Sequence, residues 1–190
     1  MIAIASKYPA LAAAVLALAA PAAAQDAPQR RYAEASAQTA TVADAYFAAY
    51  IANDWDALEP LLAEDASFHD PTSERIFGGA PVEGKEALMA FFRSAYASIV
   101  EAEFTTERSL HAGDVAVYEG TLSWTAVIGG ELTVSSTMPV VTILEQEGGK
   151  IVSHRDYADY APFLAALAEA RSARAMDHAD HAAHSAEETK

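Results

Sequence analysis

Phe68-His69-Asp70-Pro71 is the stretch from which the fold of this chain is best predicted. The residues before Asp70 have the pattern of a short strand, and Pro71 begins a segment rich in proline and glycine, which predicts an irregular loop over residues 71–84. A carboxylate at a strand end, beside a histidine and next to such a loop, is placed to be the general base of a pocket. The alternative is that Asp70 only forms a turn, with its carboxylate satisfied by backbone N–H groups, as is common before proline.

The patterning around this stretch predicts helices first and a sheet afterwards. Apolar residues recur at helical spacing from Thr41 to Asn53, a short second helix follows, and residues 85–100 form a third, amphipathic helix. The period then drops to about two residues, with glycine-containing turns between long hairpins. This order predicts an α+β fold: a cone-shaped, curved antiparallel sheet with about three helices packed over its concave face, enclosing a pocket. Pro139 inside a predicted strand indicates an edge or a bulge.

The chain has 190 residues, which predicts one domain with appendages. Its start is weakly positive, and a short apolar run then leads to Ala22-Ala23-Ala24 before Gln25, which is typical of a cleaved signal peptide. An uncleaved anchor or an internal alanine-rich helix is the alternative. We therefore expect a periplasmic or secreted protein with a signal peptide at residues 1–24, a linker at 25–40, a folded domain at 41–175 and a disordered acidic tail at 176–190.

The composition excludes several function classes. The formal net charge of -15 argues against nucleic acid and anionic membrane as partners, because both require a basic face. The chain has 0 Cys, so it has neither disulfides nor a cysteine nucleophile. It also contains no Gly-x-Ser-x-Gly motif and no phosphate-binding loop, and nothing in it predicts a cofactor.

The predicted tail contains His178, His181 and His184, with aspartates between them. Histidines three residues apart lie on one side of a helix, and an exported tract of this kind can bind zinc, copper or nickel. The alternative is a solvated tail that captures metal incidentally, since the spacing lacks the preorganisation of a defined site. We favour the second interpretation and predict no defined metal site.

Two further groups can carry acid/base chemistry. Tyr46 lies on the first predicted helix, where its hydroxyl can donate to a developing oxyanion or simply be the wet end of a core aromatic. On the last strand, period two places His154 and Asp156 on one face and Ile151 on the other. Facing inward, His154 and Asp156 would form a buried ionisable pair, which is typical of functional sites, and facing outward they would be solvated. For Glu119 on the central strand, the sequence likewise leaves open whether the side chain faces inward or outward.

The motifs of the first half are Tyr46-Phe47-Ala48-Ala49-Tyr50, Asn53-Asp54 and Asp70-Pro71. With them the chain resembles the nuclear transport factor 2-like superfamily, which includes SnoaL-like polyketide cyclases, ketosteroid isomerases and limonene-epoxide hydrolases. The resemblance implies the cone-shaped α+β fold and, often, a homodimer formed through the sheet. These motifs are most similar to those of the isomerases, which implies that Tyr46 is an oxyanion donor and Asp70 a proton-shuttling base. Val141 stands where the isomerases have a second, aspartic donor, and losing such a donor costs about 3 kcal/mol of transition-state stabilisation.

The motifs of the second half are Pro139-Val140-Val141, Gly149-Lys150-Ile151 and Arg155-Asp156-Tyr157. They are similar to the closing strands of the epoxide hydrolases and related cyclases, which implies that Asp156 is a catalytic acid or base. The hydrolases position water with a Tyr and an Asn, where this chain has Phe68 and Asp70. Their Arg-x-Asp is missing from the central strand, so the complete hydrolase machinery is absent.

These patterns together predict an exported SnoaL-like domain whose pocket holds a small hydrophobic, carbonyl- or epoxide-bearing molecule. The predicted chemistry is cofactor-independent isomerisation, cyclisation or hydration, with Asp70 as base, Tyr46 as oxyanion donor, and Asp156 with His154 as a second acid/base pair. The competing prediction is a non-catalytic binding or dimerisation module, which large side chains filling the cavity would favour. Residues predicted to contact the substrate are Phe68, His69, Phe92, Glu119, Trp124 and Val141.

Overall fold

A computed structural model describes the backbone of residues 22–187 and the side chains of residues 27–177. Residues 1–21, most of the predicted signal peptide, lie outside the described residues. The helices are α1 (Ala22–Ile51), α2 (Trp55–Leu58), α3 (Pro71–Phe77), α4 (Lys85–Ala95) and α5 (Ala161–Glu187), with a 3-10 turn at Glu59–Leu61. The strands are β1 (Leu62–His69), β2 (Val82–Glu83), β3 (Ile99–Ala112), β4 (Val115–Ile128), β5 (Leu132–Glu147) and β6 (Lys150–Ala158). None of these described helices is long and apolar enough to span a membrane.

The strands form one curved, unclosed sheet in the order β2-β1-β6-β5-β4-β3. Strands β3 to β6 are an antiparallel meander, as predicted from the period-two hairpins. Strand β1 pairs with β6 in parallel, because the whole meander separates them along the chain. The predicted α+β cone is therefore confirmed, but the sheet is mixed rather than wholly antiparallel, and the described residues contain five α-helices rather than three.

A bulge in β6 determines which of its side chains face inward. The register with β5 shifts between the pairs Gln146↔Ile151 and Glu145↔Ser153, so one extra residue enters β6. Ile151 is consequently fully buried, although strict alternation places it on the face opposite His154. His154 and Asp156 both face the interior, with 0% and 6% of their surfaces exposed.

Helix α1 replaces the predicted linker at residues 25–40. Its polar side chains are anchored to the turn between β3 and β4: Thr39 Oγ1 donates to the Gly113 carbonyl at 2.7 Å, and Ser36 Oγ accepts from the Gly113 N–H at 2.9 Å. Gln146 Nε2 also donates to Thr39 Oγ1. These polar contacts between distant segments give no hydrophobic periodicity, and the linker prediction was wrong for that reason.

The predicted loop at residues 71–84 also contains regular structure. Asp70 caps helix α3, with Pro71 at its first position, where a missing N–H costs no intrahelical bond. Gly78 ends the helix at φ +78°, a conformation that glycine adopts without strain. The short strand β2 then pairs with β1. At the other end of the chain, helix α5 continues to Glu187, into the segment predicted as a tail.

Pro139 lies inside β5, between β4 and β6, rather than at an edge of the whole sheet. Its carbonyl accepts from the Asp159 N–H at 3.0 Å, just beyond the last pair between β5 and β6, Val140↔Ala158. Because the N and C=O of a strand residue point to the same side, the missing N–H also faces the end of β6. Pro139 therefore lies at a local edge, where the pairing of β5 with β6 ends, and not at an edge of the whole sheet.

The packed core fills only part of the concave face. Helix α4 lies against β1 and helix α1 lies across β3 to β6. The core between these helices and the sheet buries residues such as Tyr46, Leu58, Leu62, Leu88, Phe92, Leu144 and Ile151. Helix α5 packs on β5, with Phe163 against Trp124 at 5.0 Å between ring centroids. The space between these two packed regions remains open.

Candidate active site

A cavity of about 310 Å³ occupies this open space. Its walls are mostly apolar and aromatic, and of the described residues that line it none is Lys, Arg or His. Phe68 and Trp124 line the cavity without filling it, whereas Phe92 is fully buried in the core and does not line it. The ionisable groups that line the cavity are Asp70 and Asp156, with Tyr50, Tyr96 and Tyr160.

Asp156 is held by side chains from three elements. Its Oδ1 accepts from Thr142 Oγ1 of β5 at 2.5 Å and from His154 Nε2 at 3.0 Å. Its Oδ2 accepts from the Tyr50 hydroxyl of α1 at 2.9 Å. Four groups thus form one buried hydrogen-bonded unit against the wall of the cavity.

Charge and hydrogen bonding keep Asp156 ionised in this buried position. Burial alone raises its pKa, but the positive charge of a protonated His154 and the hydrogen bonds from His154, Thr142 and Tyr50 together hold the pKa below its ordinary value. An ionised carboxylate accepts only, so His154 Nε2 must carry the proton of their shared hydrogen bond. The side chain is therefore available as a proton acceptor over the physiological pH range.

Tyr46 lies behind this unit rather than in the cavity. Its hydroxyl is 3.0 Å from His154 Nδ1, its surface is 0% exposed, and it is not among the lining residues. Burial and the charge of Asp156 raise its pKa well above the ordinary value, so the phenol stays protonated. This geometry does not support the predicted role of Tyr46 as an oxyanion donor. It orients the imidazole of His154.

A chain of hydroxyls leads from Asp156 along the cavity wall. The Tyr50 hydroxyl lies 2.5 Å from the Tyr96 hydroxyl, which comes from the residue that ends α4. Burial, followed by the charge of Asp156, raises the pKa of both phenols. Both tyrosines are therefore neutral hydrogen-bonding groups.

Asp70, which also lines the cavity, has different surroundings. Its Oδ1 accepts from the N–H groups of Thr72 and Ser73 at 2.9 and 2.8 Å and from Thr72 Oγ1 at 2.5 Å. Its Oδ2 accepts from the Tyr160 hydroxyl at 2.6 Å, and burial and this contact raise the pKa of Tyr160. Asp70 thus lines the cavity and also caps a helix.

Four of the predicted substrate contacts do not line the cavity: Phe92, which is buried in the core, and His69, Glu119 and Val141. His69 Nε2 pairs with Glu74 Oε2 at 2.9 Å on the surface. Glu119 lies on the outer face of the sheet, 3.4 Å from Arg108, and Val141 is on the outer face as well. Val141 is therefore outside the site, and the lack of an aspartic donor at this position removes nothing from the cavity.

Sequence reasoning did not single out Tyr96 and Tyr160 as site residues. Both approach the cavity from helix ends that are distant in sequence from the carboxylates they face. The available signal was that a tyrosine in the apolar stripe of a helix needs a partner for its hydroxyl once it is buried.

No group of three or more metal-ligating side chains comes together among residues whose side chains the structure describes. The side chains of His178, His181 and His184 lie outside those residues. The described cavity offers two carboxylates and three phenols, which can accept, donate and transfer protons.

Comparison with known proteins agrees with this architecture. A sequence profile of the SnoaL-like domain matches residues 43–154. No curated protein matches the chain. A structure from Shewanella denitrificans OS-217, named for the SnoaL-like polyketide cyclases, is similar at 20% identity and a TM-score of 0.61, over 69% of this chain and 97% of that one.

Two further solved structures share the fold. A protein with a ketosteroid isomerase-like fold from Catenulispora acidiphila DSM 44928 is 26% identical with a TM-score of 0.53, over 66% of this chain and 90% of that one. An epoxide hydrolase of the limonene-epoxide hydrolase-like type from M. tuberculosis is 20% identical with a TM-score of 0.54, over 74% of this chain and 97% of that one. Isomerases, cyclases and hydrolases therefore all occur among proteins of this shape.

Proposed function

The chain belongs to the SnoaL-like domain family, and we propose that it binds a small, largely apolar molecule and transfers protons on it without a cofactor. The observation that carries this proposal is that two carboxylates, Asp70 and Asp156, face one apolar cavity together with three tyrosine hydroxyls. A carboxylate can abstract a proton from a carbon next to a carbonyl, and nearby hydroxyls can stabilise the charge that develops on oxygen. Isomerisation and aldol-type cyclisation both use this step.

Asp156 is better placed than Asp70 to be the base. Both oxygens of Asp70 are engaged, and three of its four donors belong to the first turn of α3, which is stabilised by the negative charge at its N-terminus. Asp156 Oδ2 has one partner, the hydroxyl of Tyr50, and that hydroxyl can rotate about its C–O bond. His154 positions Asp156 through Oδ1, and Tyr46 positions His154.

The charges of the lining residues also restrict the charge of the molecule that can bind. Among the residues whose side chains are described, two carboxylates and no cationic group line the cavity, so an anionic molecule would be repelled and would lose its hydration without compensation. A neutral carbonyl- or epoxide-bearing molecule with an apolar body fits the remaining walls. Water activated by Asp156 would make hydration of such a molecule possible at the same position.

A non-catalytic binding module is the second candidate. The observation that favours it is that every oxygen of Asp70 and Asp156 already has a hydrogen-bond partner. In this case the polar cluster would order the cavity wall and the apolar walls alone would bind the ligand.

Hydrogen–deuterium exchange into small ketones tests the catalytic proposal without knowledge of the natural substrate. The mature chain is incubated in D₂O with acetophenone, cyclohexanone and 2-tetralone, and loss of the signals of the hydrogens next to the carbonyl is followed by NMR. We expect exchange above the buffer rate, a loss of roughly 10²-fold or more in Asp156→Asn, and a much smaller change in Asp70→Asn.

Both variants keep the size of the side chain, and circular dichroism confirms that they fold. Undiminished exchange in Asp156→Asn would remove Asp156 from the mechanism. Ketone binding detected by NMR without any catalysed exchange would favour the binding module.

We also propose that the chain is exported and that it forms a homodimer through the outer face of the sheet. Export is supported by the pattern of residues 1–24, and N-terminal sequencing of the protein from the periplasm or medium should begin at Gln25. The dimer is supported by apolar side chains on the outer face, including Val141, Ile143 and the 41% exposed Tyr157. Light scattering should then give twice the monomer mass, and Val141→Asp should halve it.

A further inference from the structure

We infer that Tyr96 is a catalytic residue, and that its hydroxyl donates a hydrogen bond to the oxygen of the bound molecule only while Asp156 holds a proton. Tyr96 lines the cavity and is joined to Asp156 through Tyr50 alone. This role depends on the proposed function, in which Asp156 is the base. It adds to that function a second group, the Tyr96 hydroxyl, whose hydrogen-bond direction changes when Asp156 takes up a proton.

In the resting protein the protons of this chain of hydroxyls all point towards Asp156. Tyr50 donates its single hydroxyl proton to Asp156 Oδ2 at 2.9 Å. It therefore has no proton left for the Tyr96 oxygen, which is 2.5 Å away. The Tyr96 proton must point to Tyr50, and only lone pairs of the Tyr96 oxygen remain for a ligand.

Protonation of Asp156 reverses the direction of the chain. A proton on Oδ2 turns that oxygen into a donor, and Tyr50 becomes its acceptor. The Tyr50 hydroxyl then rotates to donate to Tyr96, and the Tyr96 hydroxyl rotates to point its proton into the cavity. Two rotations about C–O bonds achieve this, and neither aromatic ring has to move.

The proton balance of the reaction fits this reversal. The C–H bond next to the carbonyl breaks, its proton goes to Asp156 Oδ2, and its electron pair moves onto the carbonyl oxygen as an enolate. The Tyr96 hydroxyl then donates to that oxygen, while no proton is exchanged among the tyrosines. When Asp156 returns its proton to carbon, the chain resets. The hydrogen bond forms only as charge develops, so it stabilises the transition state and not the bound ketone.

The groups around Asp156 keep the reversal on one path. His154 Nε2 and Thr142 Oγ1 both donate to Oδ1, so the incoming proton is directed to Oδ2. Burial raises the pKa of Tyr96, so its hydroxyl rotates and does not ionise. The remaining titratable groups near this unit are Tyr46, which contacts His154, and the pair of Asp70 and Tyr160, which lines the same cavity.

Asp156→Asn should hold the chain in its reversed direction permanently. The amide oxygen must keep the donors Thr142 and His154, so the amide nitrogen faces Tyr50 and can only donate to it. The probe is 4-nitrophenolate, an aromatic oxyanion whose binding is followed by absorbance at a pH where it is ionised. Asp156→Asn should bind it at least about tenfold more tightly than the wild type, because Tyr96 now offers a charge-assisted hydrogen bond. Tyr96→Phe in the Asp156→Asn background should remove most of this gain.

Asp70→Asn is the matched control, because it removes one negative charge from the same cavity and leaves the chain of hydroxyls unchanged. Its gain in affinity should be insensitive to Tyr96→Phe. A gain in Asp156→Asn that survives Tyr96→Phe, or no gain at all, would overturn the role of Tyr96. If Asp156→Asn loses ketone exchange but its affinity for 4-nitrophenolate does not depend on Tyr96, only the role of Tyr96 fails. If exchange persists in Asp156→Asn, the proposed function itself fails.

Proton uptake by the wild type provides a test that needs no change at Asp156. Calorimetric titration with 4-nitrophenolate in two buffers of different ionisation enthalpy gives the number of protons taken up on binding. The wild type should take up a substantial fraction of one proton, because the probe favours the protonated state of Asp156, and Tyr96→Phe should take up much less. Equal uptake by the two proteins would contradict the coupling.

Discussion

Two carboxylates face the same cavity, but one is held by its own neighbours in sequence and the other by distant elements. Three of the four hydrogen bonds to Asp70 come from Thr72 and Ser73, in the first turn of the helix that it caps. The donors to Asp156 are Tyr50 of α1, Thr142 of β5 and His154 of β6. The site around Asp156 therefore exists only when three elements are packed together.

The two kinds of surroundings suit a carboxylate for different tasks, one for stabilising a local element and the other for acid/base chemistry. A carboxylate that caps a helix contributes a modest amount of stability and is compatible with partial exposure. A carboxylate buried against a histidine is compatible with folding only while its partners are present, and its environment then tunes its protonation. The cavity thus joins one carboxylate held within its own helix turn and one held by distant elements.

Removing the histidine beside each carboxylate gives the largest contrast between the two regions. His154→Leu leaves Asp156 buried without its charged partner, which should destabilise the protein by about 3–5 kcal/mol. His69→Leu removes only a surface pair with Glu74, which should cost about 1 kcal/mol or less. Urea unfolding of both variants measures the two changes in the free energy of unfolding.

Asp156→Asn in the His154→Leu background shows whether the buried charge causes the loss. Much of the stability should return, because the unpartnered carboxylate is gone. Equal losses in the two single histidine variants would mean that the two regions do not differ as described.

Acid should act on the Asp156 region through its lowered pKa. A group whose pKa is lower in the folded state stabilises that state fully above its unfolded pKa, which is about 3.8 for an aspartate, and loses this contribution as the pH falls through the folded value. The free energy of unfolding of the wild type should therefore fall more steeply below about pH 3.8 than that of Asp156→Asn. Parallel curves for the two proteins in that range would show that Asp156 gains nothing from its partners.

Two substitutions of Asp70 separate its capping role from its charge. Asp70→Ala removes the cap of α3 and should cost about 1 kcal/mol, whereas asparagine is an equally good capping residue and should cost only a few tenths. The difference in thermal unfolding temperature between Asp70→Ala and Asp70→Asn measures the cap. A loss in Asp70→Asn as large as in Asp70→Ala would instead make the charge the main contribution.

The Asp70 region was largely predictable because its structure is local. An aspartate before proline, at the end of a strand pattern, predicts a turn or a helix start from adjacent residues alone. The predicted loop was wrong in that it contains α3 (Pro71–Phe77) and the short strand β2 (Val82–Glu83). The α+β class followed from periodicity, which is likewise a property of short segments.

The Asp156 region was predictable only in part because its contacts are non-local. His154 and Asp156 were recognised as an ionisable pair, but the bulge that turns Ile151 inward is set by pairing with β5. The hydroxyl of Tyr96 meets that of Tyr50 across 46 positions of sequence, and no pattern within either helix encodes that contact. The same reasoning applies to the middle of α1, where Thr39 contacts a turn that lies 74 residues away.

The smallest expected effect concerns the one tertiary contact of Asp70. Tyr160→Phe keeps the ring packed on Phe77, at 5.3 Å between centroids, and removes only the hydroxyl that donates to Asp70 Oδ2. Three donors remain on Oδ1, and Asp70 is half-buried in the cavity lining, where water can replace the hydroxyl, so the loss should be at most about 1 kcal/mol. Tyr50→Phe is the counterpart at Asp156, and it should cost more because it leaves Oδ2 buried without a donor and the Tyr96 hydroxyl without its acceptor. Equal losses in urea unfolding would mean that the tertiary contact contributes as much to Asp70 as burial does to Asp156, and the separation between a local and a non-local carboxylate would then not hold.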